Sequence, residues 1–132
     1  MRFEDLEVWK VSARLASDLY KATKDLKDWG FRDQLTRAAL SISSNIAEGF
    51  DRESQIDCIK FLVYAKSSAA EVRSQLYVGV DVGFIEAEAG KDWIEKTVRI
   101  AAMLTALIKK KREFAAKTGE AQADYGPRDF TQ

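Results

Sequence analysis

The stretch Arg37-Ala38-Ala39-Leu40-Ser41-Ile42-Ser43-Ser44-Asn45-Ile46-Ala47-Glu48-Gly49 decides the fold. With Leu35 just before it, Ala39, Ile42 and Ile46 fall at three- and four-residue intervals, one face of an α-helix. Arg37, Ser41, Asn45 and Glu48 fall on another face, within about 80° of one another at about 100° per residue. Serine and asparagine are weak helix formers, so their place in a helical stripe asks for a reason. Gly49 then reads as the left-handed residue that closes the helix.

Working outward, three breaks divide the chain: Asp28-Trp29-Gly30, Glu48-Gly49-Phe50-Asp51 and Gly83-Phe84-Ile85-Glu86. They leave four helical segments, about Glu4 to Lys27, Arg32 to Glu48, Ser54 to Gly83 and Gly90 to Lys117. Asp51 and Ser54 are alternative caps for the third. Its seam, Leu62, Ala65, Ala69, Val72, Leu76, Gly79 and Gly83, is an unbroken heptad rich in small residues, read as close core packing. The fourth segment carries Ile94, Thr97, Ala101, Leu104 and Ile108, widened by Trp93, Ile100 and Leu107. No run alternates as a strand does. Short connections favour antiparallel neighbours, so the expected fold is all-α, an up-down-up-down antiparallel four-helix bundle over residues 1–117. Thr118 to Gln132 loses periodicity, contains Gly126-Pro127 and reads as a flexible tail.

The first segment carries two apolar rows. Leu6, Trp9, Ala13, Ala16, Tyr20 and Thr23 form one; Val8, Val11, Leu15, Leu19 and Ala22 form the other. Two rows imply cover on two sides, which makes Val8, Leu15 and Leu19 candidate oligomer-interface residues.

Composition bounds the chemistry. The 132 residues suit one domain with a core; 46% are hydrophobic and 32% charged, as in ordinary globular proteins. Lysine plus arginine is 21 and aspartate plus glutamate is 21, so the chain lacks the basic excess of general nucleic-acid binders. Without a histidine, it lacks the commonest general base and metal ligand. A single cysteine, Cys58, makes neither an internal disulfide nor a thiolate cluster, and it reads as a packing residue. Glu86 and Glu88 sit near a helix start, where acids favour the dipole. No phosphate-cradling glycine loop is present. These features predict a non-enzyme with no cofactor, no metal and no small-molecule substrate. An acidic N-terminus and charge-interrupted apolar runs predict a cytoplasmic protein with no membrane partner.

Several blocks together resemble the four-helix bundle family of proteins encoded in intervening sequences of 23S ribosomal RNA genes. They are Phe3-Glu4-Asp5-Leu6-Glu7-Val8-Trp9-Lys10, Asp33-Gln34-Leu35-Thr36-Arg37-Ala38-Ala39, Ser41-Ile42, Ser44 to Gly49, and Phe61-Leu62 with Ala65, Ser68, Glu71, Gln75 and Leu76. The chain departs at Ser43, where proline is frequent, and at Ser67-Ser68-Ala69, where glycine-serine-leucine is common. The resemblance implies a ring-like homopentamer with no established enzymatic activity. A related branch, the accessory variability proteins of diversity-generating retroelements, looks strongly basic and binds a reverse transcriptase and RNA.

The polar stripe admits three readings: a solvated face, a hydrogen-bonded contact between helices or subunits, or a ligand site. The contact reading accounts best for the small residues and gathers Arg37, Ser41, Asn45 and Glu48 with Ser68 and Glu71 of the third segment. Arg37 and Glu48 are about 16 Å apart along one helix, so each needs another partner, and Glu71 is the expected partner of Arg37. The basic run Lys109-Lys110-Lys111-Arg112 reads first as solvated cations near a helix C-terminus. Its alternative is a nucleic-acid contact, joined by Lys10, Arg14 and Lys21 and repeated around an oligomer.

Overall fold

Three of the four helices start where a side chain takes up an unpaired backbone N–H. A computed structural model describes residues 2–119, which form a short 3-10 turn, Phe3–Asp5, and four helices: α1 Glu7–Ala22, α2 Trp29–Phe50, α3 Gln55–Asp81 and α4 Ala87–Thr118. Asp28 Oδ1 accepts from the Phe31 N–H at 3.0 Å, so Trp29 and Gly30 lie inside α2 and not in a break. Ser54 Oγ accepts from the Asp57 N–H at 3.2 Å, which makes Ser54 the cap of α3, while Asp51 ends α2. Glu86 Oε2 accepts from the Ala89 N–H at 2.7 Å and starts α4 three residues before Gly90. The helices, with no strand among the described residues, build the four-helix bundle. Of the tail expected from Thr118 to Gln132, Thr118 is the last residue of α4 and Gly119 its cap, and residues 120–132 lie outside the described residues.

Two glycines differ from each other in what they do. Gly83 has φ +83° and follows the end of α3, where Phe84 and Ile85 N–H both donate to Gly79 O at 2.8 and 3.0 Å. Gly49 is not the left-handed closure expected of it. It lies within α2 at ordinary helical φ, buried, where an added Cβ would come within 3.1 Å of both Cys58 O and Phe61 Cβ. Its missing side chain lets the start of α3 approach α2.

Successive contacts give an antiparallel register. Gly49 meets Cys58 and Phe61, Ser41 meets Ser68 and Gly79 meets Phe31, so the numbers on α2 and α3 sum to nearly the same value all along the pair. Gly90 likewise meets Val80 between α4 and α3. α3 packs closely against both α2 and α4, whereas α1 leans on α2 and only lightly on α4.

The core is drawn from all four helices, with Leu15, Leu19, Leu35, Ile42, Ile46, Leu62, Leu76, Ile100 and Leu104 fully buried. The α3 seam is buried from Leu62 to Gly79. In α4 Thr97, Leu104 and Ile108 of the expected seam are buried, Ile100 takes the place of Ala101 between them, and Ile94 and Ala101 are half-buried. The largest correction concerns α1. Val8, Leu15 and Leu19 are buried inside the single chain, so they are not open to a partner. Both apolar rows are flanks of one wide face made of Val8, Ser12, Leu15, Ala16, Leu19 and the following Thr23. An apolar stripe more than 100° wide is what a core-facing helix presents and needs no second cover.

Candidate interaction surfaces

The outer groove between α2 and α3 holds two of the four residues of the polar stripe, Ser41 and Asn45. Ser41 Oγ and Ser68 Oγ lie 3.0 Å apart, joining the two helices. Asn45 Nδ2 donates to Ser41 O at 2.8 Å and to Ser41 Oγ at 2.9 Å. The two weak helix formers therefore have a physical reason: short side chains let the helices close and satisfy one another. Arg37 and Glu48 stay out of this cluster. Arg37 Nε donates to both carboxylate oxygens of Asp33 at 3.0 Å, one turn earlier on its own helix. Glu48 pairs with Arg52 at 3.0 Å, again one turn away. Within the chain Arg37 thus engages Asp33 and not Glu71, which lies exposed on α3. Exposed pairs of this kind add little to stability.

At one end of the groove the Arg52 guanidinium lies 4.6 Å from the Phe61 ring centre, and Tyr64 meets Phe61 edge-on at 5.8 Å. The outer side of α3 is polar in its middle, at Lys66, Ser67, Glu71, Arg73 and Ser74, and apolar toward its two ends. Val63 and Tyr64 are exposed, as are Tyr77 and Val78, and Val82 just beyond the helix is 53% exposed. Trp29, 77% exposed, and Leu40 add to this from α2. In the antiparallel register Trp29 falls level with residues near Val80, so it shares an end of the bundle with Val78 and Val82. Their signal in the sequence was that the apolar residues of α3 do not stop at the heptad seam.

The basic run is placed differently from its expected position. Lys109, Lys110 and Arg112 are exposed, and Lys111 is half-buried with Nζ 4.7 Å from the Phe50 ring centre. The run ends at Arg112 and α4 ends at Thr118, so Lys117 and not the run occupies the last turn, where the helix dipole acts. Four consecutive helical residues fan through about 300°, so the run is not one patch. Lys10, Arg14 and Lys21 are exposed on α1.

The interior offers little for acid–base chemistry. Its buried polar side chains are Ser12, Thr23, Thr36, Ser43 and Thr97, all hydroxyls. Cys58 is buried and burial pushes its thiol up, against a smaller opposing pull from Lys111. Among the described residues no group of three or more histidine, cysteine, aspartate or glutamate side chains is placed to hold a metal. No helix among them is long and apolar enough to cross a membrane. The surface has open grooves; one, of about 450 Å³, lies between α3 and α4 beside Tyr77, Asp81, Lys91 and Glu95.

Comparison with known proteins agrees with this architecture. The sequence model of a family described as 23S rRNA-intervening sequence protein matches residues 4–106. The chain is also similar to a crystal structure of a protein of unknown function from the S23 ribosomal protein family of Bacteroides thetaiotaomicron VPI-5482. The two are 25% identical with a TM-score of 0.72, over 77% of this chain and 98% of that one. Among curated proteins no sequence matches.

Proposed function

Because the chain belongs to the family of 23S rRNA-intervening sequence proteins, we propose that it works as a self-assembling scaffold without enzymatic activity. The assembly is a homopentameric ring in the cytoplasm, five being the number the family resemblance implies. The observation that carries this reading is the outer side of α3. Large apolar side chains left exposed together mark a contact surface, and within one chain Tyr64, Tyr77 and Val78 of α3 face outward, on either side of a polar middle that holds Lys66, Glu71 and Arg73. Neighbouring copies would cover them, and a ring closes such a repeated contact without leaving an open end. Interfaces are enriched in tyrosine and tryptophan, the residues exposed at this surface.

Light scattering on the purified protein tests the reading. Five copies of a 14.9 kDa chain give a mass of about 75 kDa. Tyr77→Glu and Val78→Glu are expected to lower that mass while helix content stays near that of the parent, since both side chains are already half or more exposed. A parent protein that runs as a single chain, or variants that keep the full mass, would count against the scaffold or against this surface.

A second reading, an accessory protein that binds RNA or a ribonucleoprotein, is supported by the exposure of Lys109, Lys110 and Arg112. RNA affinity measured across a salt series separates the two. Binding through these cations should weaken steeply as salt rises and lose about one unit of log–log slope for each cation replaced by glutamine. No binding at low salt removes this reading.

A further inference from the structure

Trp29 is the most exposed large apolar side chain among the described residues. It opens α2, where its backbone is fixed by the Asp28 carboxylate capping the helix on the Phe31 N–H. Its side of α2 is turned away from α3. Phe31, Ser41 and Gly49, which meet α3, lie about 120–160° around the helix from it at about 100° per residue. The groove between α3 and α4 opens on the opposite flank of the bundle. Tyr77, Val80, Ala87 and Ile94 line it together with three charged residues, Asp81, Lys91 and Glu95. Tyr77 lies about 180° around α3 from Ser68, a residue that meets α2. Knob and groove nevertheless stand at one height. Gly79 of α3 meets Phe31 of α2, and Val80 and Trp29 are each within two residues of that crossing, about 3 Å along the axis.

We propose that Trp29 of one copy seats in the α3–α4 groove of the next, head to tail, and so covers Tyr77. The inference rests on the self-assembling reading above and names the contact that builds it. Within one chain the two sites face apart and cannot meet; between two copies they can. A contact that joins two different surfaces propagates, and it closes into a ring only if each step adds no climb. Equal heights of knob and groove supply that condition for copies standing side by side with parallel axes. Tryptophan is also among the residues enriched as interface anchors that fill a pocket. Charge agrees. Residues 81–95, around the groove, hold five acids, Asp81, Glu86, Glu88, Asp92 and Glu95, against Lys91 as the one base. Residues 24–37, around Trp29, hold Lys24, Lys27, Arg32 and Arg37 against Asp25, Asp28 and Asp33, a net positive charge. Asp28 is engaged by its cap and Asp33 by Arg37, as Glu86 is by the Ala89 N–H and Asp92 by Lys96. That leaves Asp81, Glu88 and Glu95 of one copy to attract Lys27 and Arg32 of the next.

Two variants and their mixture test this. Trp29→Ser removes the knob and leaves the groove; Ala87→Arg blocks the groove and leaves the knob. Both positions are exposed, so circular dichroism should show parental helix content in each. Light scattering should show each assembling about thirtyfold more weakly, running as a single chain at concentrations where the parent is assembled. Mixed in equal amounts, the two keep one working pair, the knob of the Ala87→Arg chain in the groove of the Trp29→Ser chain. The mixture should therefore contain a two-chain species of about 30 kDa and nothing larger. Variants that keep the parent's mass, or a mixture that stays single or grows past two chains, would overturn this contact, while an assembled parent would still uphold the scaffold reading. A parent that is itself a single chain would overturn both.

Discussion

Leu15→Glu is expected to unfold the chain and not merely to take its assembly apart. Leu15 has no exposed surface. Its removal alone forfeits about 2–5 kcal/mol, the usual loss when a buried leucine is truncated. The new carboxylate must then be desolvated without a partner or force the helix outward, and either adds several kcal/mol. A domain of this size has about 5–15 kcal/mol in reserve, so one substitution consumes most or all of it. Circular dichroism at 25 °C should show the loss of most helical signal, with the same outcome for the equally buried Leu19→Glu. Tyr77→Glu is the control, because it places the same charge where a tyrosine is already 60% exposed. Retained helicity with a reduced oligomer in Leu15→Glu would restore α1 as an intermolecular surface and refute the single-chain core described above.

The second large effect is expected at the start of α4. Gly90 is buried, and a Cβ added there would overlap Val80 Cγ2 and come within 3.2 Å of Ile85 Cγ2. Gly90→Ala should gain about 1 kcal/mol of helix propensity but lose more to overpacking, which typically costs about 1–3 kcal/mol. Gly90→Val should be worse, since a branched side chain adds methyl groups where one carbon already collides. Val80→Ala removes the obstructing methyl. Combined with Gly90→Ala, it should give a favourable coupling of at least about 1 kcal/mol in urea titrations of the four proteins of the cycle. Strict additivity would mean that the helices separate freely at this crossing and that Gly90 is not there to let them approach.

The parts of this fold that could be read from the sequence were those governed by one repeating constraint. The α3 seam keeps a heptad from Leu62 to Gly79, and every member is buried. The errors came where two causes leave the same residue behind. A glycine serves a left-handed turn or a close approach equally well in the sequence; Gly83 does the first and Gly49 the second. Gly30 looked like a break, but Asp28 caps the helix before it and tertiary packing carries α2 through. Two apolar rows on α1 looked like two surfaces, and only the packed chain shows that they border one face. The polar stripe divided along a similar line. Ser41, Asn45 and Ser68 meet because short side chains need near neighbours. Arg37, long and exposed, took the nearest carboxylate on its own helix, Asp33, in place of a distant one on α3. The outward Tyr64, Tyr77 and Val78 were legible in principle, as large apolar residues that lie off the heptad seam among exposed polar ones.

An interior whose polar groups are hydroxyls has a consequence for how the fold responds to acid and base. Among the described residues, Cys58 is the one buried group able to release a proton, and its pKa is raised by burial. A raised thiol pKa means that the folded chain holds this proton more tightly than the unfolded chain does. The stability linked to it is complete below the unfolded thiol's range and is lost only as pH climbs through that range and above. Through neutral and acid conditions the core exchanges no protons on unfolding. Any pH dependence there must arise at the surface, among the carboxylates and cations that pair along each helix or that meet another copy.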